Sequence, residues 1–275
     1  DALANSYNLP AVRAMQYVGV GAFLDTAVRA GLSSLAAKGS ADLSLVLGSG
    51  EVRLLDLTSA YAALATGGTG RSPIAVLKIE SSDGKILLPE KSAQERRLLS
   101  PQIAYLLTHI LSDDEARSPA FGRYSPLRLS RPAAAKTGTT TDWRDNWTLG
   151  YTPELAVGVW VGNADNKPMR GVSGISGAAP IWHDFMEDAL KGRPHQEFIE
   201  PSGLVLREIC HESGDIPTQW CPNRRTELFI QGTEPTSVCT WHRALPIDMS
   251  TGLLAGPECP RELVELRQFQ VVPPE

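Results

Sequence analysis

Cysteine is missing from the first 209 residues of this 275-residue chain, and the four present, Cys210, Cys221, Cys239 and Cys259, all come after them. Whatever cross-linking or metal binding thiols provide is therefore confined to one end. Long apolar runs are missing too. None approaches the ~18 consecutive residues that a membrane-spanning helix needs. No signal peptide is present, and the opening Asp1-Ala-Leu-Ala-Asn5 reads as the inside of an element, so any membrane anchor is expected upstream of Asp1. No Lys/Arg run or basic stripe occurs and the net charge is −5, which gives no footprint for nucleic acid. With 42% hydrophobic and 21% charged residues, the chain has enough apolar material for a core and is unlike a disordered one.

The periodicities divide the chain. Leu3 to Leu35 reads as short helices broken at Gly19, Gly21 and Gly31. Leu57, Ala60, Tyr61, Leu64 and Ala65 recur at helical spacing, and Gly67-Gly68 stops that helix. Ser-Asp83-Gly84 between apolar runs signals a hairpin. Ser100-Pro101 gives an N-cap and a first-turn proline before Ile103, Leu106, Leu107, Ile110 and Leu111. Residues 117–131 read as irregular. From Ala133 to Asn163 the pattern becomes sheet, with two strands turned at Thr152-Pro153-Glu154 and hence antiparallel. Val157, Val159 and Val161 share one face and Trp160 takes the other. A helix is expected over Pro180–Leu190.

Beyond Phe198, Pro, Gly, Cys and Thr dominate, and only Leu204–Ile209 and Glu227–Ile230 look like strands. This reads as a small, mostly irregular, stapled extension. The even cysteine count points to disulfides, with Cys210, Cys221, Cys239 and Cys259 the candidates and three connectivities open. Cys210-His211 and Cys239-Thr-Trp-His242 keep zinc as the alternative. Disulfides are the expectation, with no metal. The closing Val271-Val-Pro-Pro-Glu275 reads as a linker. The resulting architecture is α+β, with residues 1–197 as the main domain and 198–275 as a Cys-containing extension.

Two motifs carry chemistry. In Lys136-Thr137-Gly138-Thr139, the lysine supplies a point charge for a carboxylate or for tuning a hydroxyl. Gly138 lets a second backbone lie close to the strand. Alone, such a tripeptide arises by chance in roughly a few per cent of chains this long, so it decides little. Ser6-Tyr7-Asn8 is weaker by itself. Together and in this order they match the Ser-x-Asn and Lys-Thr-Gly members of the serine acyltransferase motif set.

The likeness extends past triplets. Ala4 to Arg13, Leu57 to Gly68, the long block Lys136 to Pro153 and Gly158-Val-Trp-Val-Gly-Asn163 all resemble the class A (bifunctional) penicillin-binding proteins. Within that family, the Gly-Val-Ser-Gly loop and the tail from Ser213 to His242 are most similar to the 1C type. The resemblance implies a serine β-lactamase/DD-peptidase-like transpeptidase fold, an antiparallel sheet covered by helices. It implies acyl transfer from D-Ala-D-Ala stem peptides through a serine acyl-enzyme, trapped by β-lactams.

By the same resemblance, Ser6 relays a proton, Asn8 hydrogen-bonds the substrate amide, and Lys136 tunes the local charge. Thr137, Gly138 and Thr139 form the substrate-binding strand. Thr137 and Thr139 would bind the substrate carboxylate, and the Thr139 N–H would supply half of an oxyanion hole. Peptidoglycan strands, β-lactams and cell-wall synthesis proteins are the implied partners, with no cofactor, at the periplasmic face of the inner membrane.

The third motif, Ser-x-x-Lys, does not precede Ser6, and Leu35-Ala-Ala-Lys38 has the lysine but begins with Leu. The nucleophile is therefore expected outside these residues, and the chain alone is expected to be inactive. A β-lactamase-type hydrolase and a non-catalytic binding module are the competing readings. Trp143, Trp147, Tyr151 and Trp160 are assigned to packing. Asp142 and Asp145 are assigned to the turn.

Overall fold

The computed structural model describes residues 1–37, 42–89 and 92–271. Lys38 and the linker residues 272–275 lie outside the described residues. By internal contacts the chain forms two units, Asp1–Pro201 and Ser202–Glu275.

In the first unit, helices α1 (Asn8–Val18) and α2 (Val20–Arg29) are separated by Gly19, whose φ of 85° is the conformation a side chain resists. Two 3-10 turns follow, and then α3 (Leu54–Ala65). After its last turn, Gly67 and Gly68 both have positive φ, and the Gly68 N–H donates to Ala63 O at 2.7 Å. That is the expected glycine stop. Strand β1 (Thr69–Arg71) pairs with β4 (Glu95–Arg97), and between them β2 (Ile79–Glu80) and β3 (Ile86–Leu88) make the hairpin read at Asp83-Gly84. Helix α4 (Pro101–Ser112) begins as read, with Ser100 Oγ accepting from the Ile103 N–H at 3.2 Å.

Helix α5 (Asp114–Phe121) corrects the irregular reading at residues 117–121, whereas 122–131 hold no helix or strand, as read. It contains Pro119, which cannot donate to the carbonyl four residues back. That carbonyl, Glu115 O, instead accepts from the Ser118 hydroxyl at 2.9 Å.

The centre of this unit is the three-stranded antiparallel sheet β5 (Ala134–Thr139), β6 (Asp145–Tyr151) and β7 (Ala156–Gly162), in that order. Helix α6 (Ala178–Leu190) starts two residues earlier than read and covers one face. There Trp182, Met186 and Leu190 are fully buried with Ala133, Ala135, Leu127 and Leu129, and Val157 and Val159 pack against them. Any Cβ on Gly150 would meet the Trp182 ring at 2.3 Å, so only glycine admits the indole. The opposite face takes α3 and α4. Tyr151 is fully buried with Leu111 and Ala134, edge-on to Tyr61 and Phe198, and its hydroxyl is 2.8 Å from that of Thr108.

The second unit is more regular than its composition suggests. It holds two antiparallel hairpins, β8 (Leu204–Cys210) with β9 (Arg224–Ile230), and β10 (His242–Asp248) with β11 (Val264–Gln270). Only parts of the first pair were legible. The second carries Pro246 and mostly exposed side chains, which hide a strand pattern. Among the described residues, no helix is long and apolar enough to cross a membrane.

Candidate active site

Lys136 lies on β5, and the sheet alternates its side chains between two faces. Thr137 and Thr139 share the face of α6, so Lys136 and Gly138 project to the other. On that side Lys136 Nζ donates to Ser6 Oγ at 2.6 Å, a contact spanning 130 residues of sequence. It also donates to Thr137 O at 2.7 Å. Burial pushes the Lys136 pKa down to about 8. Ser6 sits in the turn before α1 with a φ of 60°, a left-handed backbone that few non-glycine residues adopt. Asn5 anchors this turn. It is buried, its Nδ2 donates to Ala116 O at 2.7 Å, and its Oδ1 accepts from the Ala120 N–H at 3.1 Å. The turn is therefore held against α5, and its strained serine is held against the lysine.

Because Ser6 Oγ accepts from an ammonium, its own hydrogen remains free to donate elsewhere. Asn8 is exposed at the start of α1 and makes no side-chain hydrogen bond among the described residues.

The outer edge of β5 completes the geometry. β6 lies on one side and no strand lies on the other among the described residues. Backbone groups of alternate residues point to opposite sides of an antiparallel strand. Thr140 N–H donates toward β6, to Asp145 O at 3.1 Å, whereas Ala135 O accepts from Arg117 and Thr137 O from Lys136. Residues 135, 137 and 139 therefore direct their backbone groups outward. The Thr139 N–H faces the open edge beside the lysine. The Thr139 hydroxyl accepts from the Gly174 N–H at 2.9 Å.

Close backbone approach to this strand does occur, but Gly138 is not the residue that requires it. A Cβ at Gly138 would make only an ordinary 3.6 Å contact with Trp147 Cβ. At Gly174 it would stand 2.7 Å from Gly138 O and 2.9 Å from Trp147 O. The glycine that lets the loop lie on the sheet is Gly174, in the Gly/Ser-rich segment. Thr148 Oγ1 and Asn146 Nδ2 hold that loop by donating to Gly174 O and Val172 O.

Other expectations resolve locally. Asp145 accepts from Thr140 Oγ1 at 3.0 Å and from Trp160 Nε1 at 2.8 Å, a turn role. Asp142 is 3.8 Å from Arg144. Trp143 is half exposed, unlike a packing residue. His109 is exposed, and His183 Nδ1 lies 3.2 Å from Pro126 O. A formal Ser-x-x-Lys does occur at Ser82-Asp83-Gly84-Lys85. It forms the β2–β3 turn, with Gly84 at φ 84° and the Ser81 N–H donating to Lys85 O. The helical spacing that would set that serine and lysine side by side is missing.

The structure pairs none of the disulfide candidates. Cys210, Cys221, Cys239 and Cys259 are all free thiols. Three of them converge with His242, all ligand atoms lying within 4.8 Å of one another. Cys259 stands apart beside Asp248, whose carboxylate pushes its pKa up. Three thiols around one imidazole cannot be satisfied as two disulfides. His211 is exposed and outside the group.

Comparisons with known proteins bear on the family and the fold. A family model described as the penicillin-binding protein 1A C-terminal domain matches residues 200–244. The chain is 34% identical over 244 residues to penicillin-binding protein 2D of Bacillus subtilis, covering 87% of the chain and 34% of that protein. It is 31% identical to penicillin-binding protein 1A of Aquifex aeolicus, covering 87% and 32%. It spans about a third of the length of these curated relatives. Among solved structures, penicillin-binding protein 1A of Haemophilus influenzae superposes with a TM-score of 0.74 at 25% identity, covering 86% of this chain and 40% of that one. PonA1 of Mycobacterium tuberculosis in complex with penicillin V superposes with a TM-score of 0.64 at 30% identity, covering 73% and 58%. The fold is the α+β transpeptidase fold, an antiparallel sheet packed by helices, followed by a Cys-containing region. With these motifs on this sheet, the chain belongs to the penicillin-binding protein family, as a transpeptidase-domain segment of the 1A kind.

Proposed function

We propose that this segment is part of a peptidoglycan DD-transpeptidase that cross-links D-Ala-D-Ala stem peptides through a serine acyl-enzyme, and that β-lactams acylate the same serine. One observation carries the reading: Lys136 Nζ and Ser6 Oγ meet at 2.6 Å beside an open strand edge. A peptide ending in a carboxylate fits there by strand addition, with its terminal charge toward Lys136. Its scissile carbonyl would then face the outward Thr139 N–H. The upstream serine's Oγ attacks that carbonyl as its proton passes to the lysine of its own motif, from which Ser6 can relay it. Ser6 passes a proton to the departing D-Ala amine, and an incoming amine resolves the ester into a new amide. Asn8 would turn its amide to the substrate when the peptide binds.

The nucleophile and its lysine are assigned to sequence outside these 275 residues, since no Ser-x-x-Lys among the described residues has the geometry. Residues 1–197 are taken as the penicillin-binding part and 198–275 as the extension. The tail's resemblance to the 1C type supports placing the parent, a bifunctional glycosyltransferase/transpeptidase, in that group at the periplasmic membrane face.

Intact-mass analysis after incubation with penicillin tests the reading. The full-length protein is expected to gain one penicilloyl group and the 275-residue chain none. Ser6→Ala and Lys136→Ala in the full-length protein should slow acylation by about 100-fold or more. Full-length protein that folds yet stays unmodified would move a non-catalytic binding module to the front. Rapid release of hydrolysed penicillin would instead favour a hydrolase. Lys136 sets the alkaline limb: its charge is lost as pH rises through about 8, so acylation should fall above that pH. Between about 8 and the unfolded value near 10.4 the unfolded chain holds more protons, so this group makes stability rise with pH there.

A further inference from the structure

The second unit contains a constellation that the transpeptidase chemistry does not use. We propose that Cys210, Cys221, Cys239 and His242 are the four ligands of a structural zinc ion. Their side chains are buried, at 0%, 6%, 4% and 3% exposure. Their ligand atoms all lie within 4.8 Å of one another. His242 Nδ1 is 3.3 Å from Cys210 Sγ and 3.4 Å from Cys239 Sγ. Ligands around one tetrahedral zinc, at about 2.3 Å for sulfur and 2.0 Å for nitrogen, stand roughly 3.5–3.8 Å from one another. The observed set is drawn together to nearly that spacing.

The donor chemistry narrows the ion. Three thiolates and one imidazole in a closed, four-point arrangement suit zinc and exclude magnesium or calcium, which take oxygen donors. Four protein ligands leave no open position, so the site is structural rather than catalytic.

The surroundings are those of a ligand shell. The other imidazole nitrogen of His242, Nε2, faces Glu212 Oε2 at 3.8 Å, which would orient the ring with Nδ1 toward the metal. That carboxylate is held by Asn223 Nδ2, which donates to Oε1 at 2.9 Å. The Thr218 N–H donates to Cys221 Sγ at 3.3 Å. Cys210 closes β8, Cys221 sits in the loop before β9, and the Cys239-Thr-Trp-His242 pair opens β10. One ion would therefore tie the first hairpin to the second. The backbone prepares this meeting, since the Cys239 N–H donates to Ile216 O at 2.8 Å and the Ile216 N–H to Ser237 O at 2.9 Å.

The same unit has little else for a core. Of the five buried apolar residues among its described residues, Ile209, Cys210, Cys221, Cys239 and Ile247, three are these cysteines. Small units with so thin a core rely on a staple, and a metal supplies one.

The test uses the 275-residue chain, purified without a metal-affinity step or chelator. Elemental analysis should find about one zinc per chain. Cobalt(II) added to chelator-stripped protein should give the visible bands and the thiolate charge-transfer band of a tetrahedral sulfur-rich site. Cys221→Ser and His242→Ala should abolish both signals, whereas Cys259→Ser should keep them. The wild-type cobalt spectrum decides the matter even if those variants fail to fold. Absence of metal together with disulfides found by non-reducing alkylation and mass spectrometry would overturn the proposal. So would iron in place of zinc, an octahedral cobalt spectrum, or loss of metal in Cys259→Ser.

Discussion

In residues 1–201, Trp182, Tyr151, Met186 and Leu190 are all at 0% exposure, and a three-stranded sheet is covered by helices on both faces. In residues 202–275, two hairpins gather around three cysteines and a histidine. The first unit is held by apolar area, at about 25 cal/mol per Å² removed from water. The second has too little such area, and its stability is concentrated in a few soft, polarisable atoms. A distributed core loses stability in proportion to what is removed. A concentrated one is lost all at once.

The largest expected effect separates the units outright. Chelation of the zinc, or Cys239→Ser, should unfold residues 202–275 while leaving the first unit's thermal transition in place, read as one of two calorimetric peaks vanishing. A single peak that shifts as a whole would show that the two units do not melt independently. Next comes Trp182→Ala, expected to cost the first unit about 3–5 kcal/mol in denaturant unfolding and to leave zinc content unchanged. Gly174→Ala should then cost several times more stability than Gly138→Ala, because only the former drives a Cβ into backbone oxygens. Equal costs would undo the assignment of the close approach to Gly174. The smallest effect should be Tyr151→Phe, about 1 kcal/mol from losing one of the two hydrogen bonds of the buried Thr108 hydroxyl, which keeps its bond to Ala104 O, with the sheet intact by circular dichroism.

Much of the first unit was legible because its signals are local. Ser100-Pro101 marks a cap, Gly67-Gly68 a stop and Asp83-Gly84 a turn, and the valines of β7 alternate. Lys136 and Ser6 were found by motif, yet their meeting depends on Asn5 reaching α5, which no periodicity encodes. Helix α5 was hidden by Pro119, since the compensating bond comes from the Ser118 side chain. In the second unit, apolar alternation fails because the hairpins bury little, so β10 and β11 carry no pattern to read. The cysteine arithmetic suggested pairs, but only three-dimensional placement separates Cys259 from the other three and selects His242 over His211.

The outer edge of β5, without a partner strand among the described residues, has a consequence for solubility. Unprotected strand edges invite pairing with the same edge of another copy, the first step toward sheet aggregation. This edge cannot be sealed without closing the place where a peptide would lie. The strand is six residues long and carries Lys136 in its middle, where strand-on-strand stacking would bring like charges together. A residue chosen to attract one kind of chain would thus also turn away another: its own duplicate.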